Sequence, residues 1–168
     1  MNKLLFSAAC GVVFSLGLCA PVLAQEASFK VMGAGETVEV QAGHAVTLDF
    51  AVPFSELSIG DPDIADISTL SDKVVYLLGK TVASTTLTTI SSRNPPDIGH
   101  VTVVVYRDIT PMQAFLDTSA GEVALTRDGT VVTALGCVAG DRQRAALDSV
   151  LGQLDKWGYV TLADVGDC

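Results

Sequence analysis

The sequence predicts a mostly β chain closed by an α+β unit, and three observations carry this. Apolar residues alternate with polar ones in short runs from Phe29 to Tyr106, broken by Gly, Pro and Asp. Asp128-Gly129 sits between two β-rich runs, which is a hairpin signal. Leu147, Val150, Leu151, Leu154 and Trp157 then recur at helical spacing.

The first twenty-four residues read as an export signal. Lys3 supplies the positive start, Leu4 to Leu18 the apolar run, and Val22-Leu23-Ala24 the small residues that place cleavage after Ala24. The run is shorter than the roughly 20 residues a membrane helix needs, and no later run reaches that length. Cys19 raises a lipoprotein alternative, but Leu18 stands where a lipobox needs a small residue. The expectation is a periplasmic protein with no membrane span after signal removal.

Net charge is −9 over the chain, and −10 once Lys3 leaves with the signal. Such a surface repels phosphate backbones, so nucleic acid is not an expected partner. Cys137 and Cys168 remain after cleavage, and an oxidising compartment favours their pairing. Cys168 bonded to another chain is the alternative.

Phe29 and Val31, then Val38 and Val40, predict strands about a turn at Gly33-Ala34-Gly35. A nucleotide loop there would need a third glycine and a following helix. His44 to Phe50 predicts the next strand, with Pro53 beyond its end. Leu57 and Ile59, then Ile64 and Ile67, predict two extended segments around the turn Gly60-Asp61-Pro62-Asp63. Val74 to Leu78 follows, closed by Gly79-Lys80. Thr81 to Ser92 suits a strand with one wet face, and His100 to Tyr106 reads as a strand buried on both faces. A small sandwich over residues 25–106 is expected.

Asp61, Asp63, Asp66 and Asp72 invite a calcium reading, but Asp66 stands where the EF-hand loop needs glycine, and the flanks read as strand. No metal site and no cofactor is expected. His44 and His100 are isolated on strand segments, and neither a nucleophile motif nor a phosphate-cradling loop is present, so no catalytic residue is assigned.

From residue 107 the pattern changes. Thr110-Pro111 predicts a helix N-cap, with Met112, Phe115 and Leu116 on its buried face. Val123 to Arg127 and Val131 to Leu135 form the hairpin. Asp141 is the expected cap of a second helix ending at Trp157 and Gly158, and Tyr159 to Leu162 returns as a strand.

Asp61, Pro62, Ile64, Ala65 and Asp66, then Val75, Leu77, Gly79 and Lys80, then Thr85, Thr86 and Leu87, form a pattern that resembles the N-terminal domain of secretins serving Tad/Flp-type pili. The resemblance covers Phe29 to Tyr106. The helix-strand-strand-helix-strand order of residues 107–168 resembles a BON domain, although its last strand lacks the usual closing Asn. No run of alternating strands long enough for a secretin barrel follows. Together these imply a non-enzymatic partner of secretin or other pilus assembly proteins. Asp61, Pro62, Asp63 and Asp66 are the expected contact turn. A BON-like unit that binds a small ligand, lipid or cell-wall component beside Trp157 is the alternative, and its oligomeric state is open.

Overall fold

A computed structural model describes residues 28–31 and 35–168. The signal segment, the Ala24 cleavage position, Cys10, Cys19 and most of the Gly33-Ala34-Gly35 turn lie outside the described residues. Eight strands come first: β1 (Ser28–Val31), β2 (Glu36–Gln41), β3 (Ala45–Phe50), β4 (Phe54–Ile59), β5 (Ala65–Thr69), β6 (Val74–Gly79), β7 (Ala83–Ser91) and β8 (Ile98–Tyr106). Then follow α1 (Thr110–Ser119), β9 (Glu122–Asp128), β10 (Val131–Val138), α2 (Asp141–Trp157) and β11 (Val160–Asp167).

The first eight strands make two four-stranded sheets, ordered β1-β3-β6-β5 and β2-β8-β7-β4. Inward residues at period two fill one core between them, among them Val38, Val40, Leu48, Leu77, Leu87, Val101, Val103 and Val105. Phe50 and Phe54 meet edge to face, ring centroids 5.6 Å apart, where the chain passes between the sheets. The two segments around Gly60-Asp61-Pro62-Asp63 are β4 and β5, and they belong to different sheets. The turn is thus a corner of the sandwich. Strand β8 departs from expectation: Thr102 is exposed and only Val103 to Val105 is an unbroken buried run. It alternates from Ile98 to Val103, and only at Val104 is its other face covered as well.

The second core lies between the sheet β11-β10-β9 and the helices. Leu147, Val150 and Leu154 of α2 and Leu116 of α1 bury against Val123, Val132, Ala134 and Val138. Each of these leucines and valines contributes about 1.5–3 kcal/mol of transfer free energy. Strand β11 runs parallel to β10 in unbroken register, and Cys137 is bonded to Cys168 with their Cα atoms 5.3 Å apart. The pairing within the chain is therefore the one adopted.

Local readings need correction at four places. Helix α1 is capped at Ile109 without a side-chain bond, and the Asp108 carboxylate, two residues before Thr110, takes the Thr110 N–H at 2.9 Å. Hydrogen bonds from Thr110 hold the Asp108 carboxyl below its ordinary range. Phe115 is 48% exposed, because the buried stripe is Met112, Leu116 and Ala120 at four-residue spacing, and Phe115 lies a sixth of a revolution or more from it. Gly140, with φ 80°, caps α2 in place of Asp141, and the Gln143 side chain reaches back to accept the Ala139 N–H at 2.6 Å. Finally, Asp128 pairs with Val131, so the hairpin turns on Gly129-Thr130.

Candidate functional site

The turn expected to make partner contacts is held from several sides. Thr85 of β7, buried in the sandwich, accepts the Asp61 N–H on its hydroxyl at 2.9 Å. Gly60 N–H donates to Thr86 O at 2.9 Å. From the end of β6, Lys80 Nζ donates to Pro62 O at 2.7 Å and Thr81 Oγ1 to Asp63 O at 3.0 Å. Asp61 Oδ1 closes the turn on Asp63 N–H at 2.9 Å, as Asx turns do. The residues of the Asp-Pro, Gly-Lys and Thr-rich segments are thus assembled into one staple.

Asp61, Pro62, Asp63 and Asp66 are all exposed on this rigid corner. Asp66 Oδ1 accepts its neighbour's N–H, from Ile67, at 2.9 Å. Their carboxylates do not converge as a metal cage: among the described residues the sole metal-competent grouping is Glu122 with Cys137 and Cys168, whose sulfurs are already bonded to each other. Strands, not helices, flank the turn. What the corner offers chemically is an exposed, hydrogen-bonded surface that carries the carboxylates of Asp61, Asp63 and Asp66 together with the Lys80 ammonium.

His44, just before β3, and His100 of β8 are both exposed, and β3 and β8 belong to different sheets; His100 Nδ1 sits 3.2 Å from Thr88 Oγ1 across the β7–β8 ladder. A depression of about 280 Å³ lined by Ala51, Val52, Pro53, Ser92 and Arg93 holds one charged group, and that guanidinium lies 3.6 Å from the Asp97 carboxylate. Trp157 is half-buried against the second core, with the Arg107 guanidinium 5.6 Å from its ring centre.

Sequence reasoning missed the joint between the two cores. Arg127 of β9 grips Glu39 of β2 with both arms, at 3.1 and 2.9 Å, while its guanidinium lies 4.4 Å over the Tyr106 ring. The hydrogen bond from Arg127 holds the Glu39 carboxyl below its ordinary range. The buried Tyr159 hydroxyl accepts the Arg107 N–H and donates to Arg107 O, both at 2.7 Å. Burial pushes the Tyr159 hydroxyl above the usual tyrosine range. Val82, from the β6–β7 connection, is buried in the second core. Gly158, with φ 99°, lets the chain pass so close that a Cβ there would stand 2.7 Å from Val82 O. These partners lie 88 and 52 residues apart, so no local pattern announces them.

No helix among the described residues is long and apolar enough to cross a membrane. No curated protein matches the chain. A solved structure titled "Solution Structure of Amebosin" aligns with 48% of this chain and 98% of its own at 7% identity, with a TM-score of 0.28, which carries no argument about fold or function. The informative comparison falls on the sandwich and its stapled corner: residues 34–105 match the family model described as "Pilus formation protein N terminal region".

Proposed function

We propose that this protein is a non-enzymatic, periplasmic component of a Tad-type pilus or secretin apparatus, exported by a cleaved signal and acting by protein–protein contact. The observation that carries the reading is the match of residues 34–105 to the pilus formation family, which includes every residue of the stapled turn. In this reading Asp61, Pro62, Asp63 and Asp66 form the contact corner, and secretin or another pilus assembly protein is the partner. A rigid corner suits that role because little conformational entropy is lost on docking. The α1-β9-β10-α2-β11 order supports a BON-like second unit that orients the sandwich through the Arg127 and Tyr159 contacts.

The test is recovery of tagged full-length protein from mildly crosslinked envelopes. Secretin or pilus assembly subunits are expected to dominate, and Asp63→Lys, whose carboxylate makes none of the bonds that hold the turn, is expected to cut their recovery about tenfold. Wild-type protein returning without such subunits overturns the reading. Unchanged recovery with Asp61, Asp63 and Asp66 all reversed removes the corner from it.

A further inference from the structure

The two edges of the second sheet are treated differently by the fold. At β9, the Gln113 side chain from α1 covers the edge: its Nε2 donates to Val123 O at 3.0 Å and its Oε1 accepts the Leu125 N–H at 2.6 Å. At β11 nothing equivalent is present among the described residues, and β10 is its one strand neighbour. Val160 N–H donates to Thr130 O and Cys168 N–H to Val138 O, which fixes the phase of the parallel ladder. Residues 160, 162, 164 and 166 therefore turn their backbone groups toward β10, and Thr161, Ala163 and Val165 turn theirs outward.

Beside this open edge lies an open face. The register places Val160, Leu162 and Asp164 on the same side of the sheet as Val131, Thr133 and Leu135, opposite the helices. Val160 is 58%, Leu162 54% and Leu135 45% exposed. Long edges with exposed apolar side chains are ordinarily blunted by charge, proline or a bulge. Three of the sandwich edges carry such features: β4 has a register shift between Phe54 and Glu56, β2 shows Thr37 and Glu39 to solvent, and β5 shows Asp66, Ser68 and Thr69, whereas β11 sets Asp164 beside the exposed Val160 and Leu162.

The charges around the patch select its occupant. Asp164, Glu122 and Asp128 share the outer face by register, and no Lys or Arg among the described strand residues does. Arg127 projects to the opposite side and is held by Glu39, and Arg144 of α2 is paired with Asp167. A second copy of this chain would bring the same carboxylates against themselves, within a chain of net charge −9. We infer that β11 is a strand-addition site for an extended, basic segment of a partner protein. Its backbone pairs with Thr161, Ala163 and Val165, its apolar side chains cover Val160, Leu162 and Leu135, and Lys or Arg faces Asp164. This deepens the protein-contact reading above and rests on it for the partner's setting, while adding a second surface remote from the Asp61 corner.

The test uses the full, disulfide-bonded chain and two synthetic probes, a short peptide that carries valine, valine and lysine at alternate positions with threonine between them, so that all three share one face, and its counterpart with glutamate in place of the lysine. The lysine peptide is expected to slow amide exchange at Thr161, Ala163 and Val165 roughly tenfold or more, and the glutamate peptide to leave it unchanged. Ala163→Pro deletes an outward N–H that the β10 ladder does not use, so it is expected to weaken binding about tenfold with β10 protection retained. Asp164→Lys keeps the backbone intact and is expected to reverse the preference between the two peptides, which holds the test open should the proline variant misfold. Equal protection by both peptides, protection elsewhere only, or protection that rises with protein concentration alone overturns the proposal. Envelope recovery separates the two readings: pilus subunits returning equally with wild type and Asp164→Lys remove β11 and leave the proposed function. Their absence with wild type removes that function, whatever the peptides show.

Discussion

The sandwich and the α+β unit bury comparable apolar stripes by different means. In the sandwich each sheet covers the other, so both inner faces are used, and the large apolar side chains left exposed, Leu70, Tyr76 and Ile98, lie on separate segments. In the second unit two helices cover one face of a three-stranded sheet, and the other face keeps Val160, Leu162 and Leu135 in water. A sheet covered on one side needs a polar outer face to be finished by folding alone. Here β9 shows Glu122, Thr126 and Asp128 on that face and has its edge sealed by Gln113, whereas β10 and β11 show Leu135, Val160 and Leu162. The comparison teaches that the first unit exposes its large apolar side chains singly, whereas the second gathers Leu135, Val160 and Leu162 on one uncovered face.

The largest expected effect comes from cutting the disulfide, which acts on the second unit alone. Closing a 31-residue separation contributes about 3–4 kcal/mol in the chain-entropy account. Reduction, or Cys137→Ser with Cys168→Ser, is expected to speed exchange of β10 amides about a hundredfold while those of Val101 and Val103 in β8 change little. Equal acceleration in β8 would show one cooperative structure and dissolve the distinction between the two cores.

A smaller effect is expected at the joint. Tyr159→Phe removes the hydroxyl that both accepts from and donates to Arg107 and leaves that peptide group without its partner. The loss is about 1–3 kcal/mol, read as a lower denaturation midpoint. A variant as stable as the wild type would mean that the two units are joined by Val82 burial and do not need the hydrogen bonds.

The smallest effect is pH dependence at the same joint, and its two limbs have opposite causes. The Glu39 carboxyl is lowered by Arg127, so its contribution is complete above the ordinary carboxylate range and fades as pH falls through the lowered value. The pair is partly exposed, so the acid limb is under about 1 kcal/mol and weakens with salt. Tyr159 is raised, chiefly by burial, so its contribution is complete below the usual tyrosine range and fades as pH rises through the raised value. Stability measured across pH is expected to lose the acid limb in Glu39→Gln and the alkaline limb in Tyr159→Phe. An alkaline limb that survives in Tyr159→Phe would assign it to another group.

Much of the fold was legible because strand and helix periods are local. Alternation located β2 to β5, β-branched content β7, apolar runs β6 and β8, and the spacing from Leu147 to Leu154 located α2. The Asp61 corner was legible as a turn, but its anchors were not, since Thr85 looks like any threonine of a wet strand until it accepts the Asp61 N–H. Phe115 was misplaced because one helical residue is a rotation of about 100°, and apolar identity alone does not say on which side of that rotation the core will lie.

The sequence by itself determined roughly where strands, turns and helices fall, the −9 charge that disfavours anionic partners, and Cys137 and Cys168 as candidates to pair. Those follow from side-chain chemistry read over a few neighbours. Tertiary structure decided that β4 and β5 part into different sheets, that Arg127 finds Glu39 and Tyr106, and that β11 lies outside β10 with its edge open. The reason is that strand order and long-range pairing depend on which faces can be buried together, a property of the whole chain that no window of neighbouring residues contains.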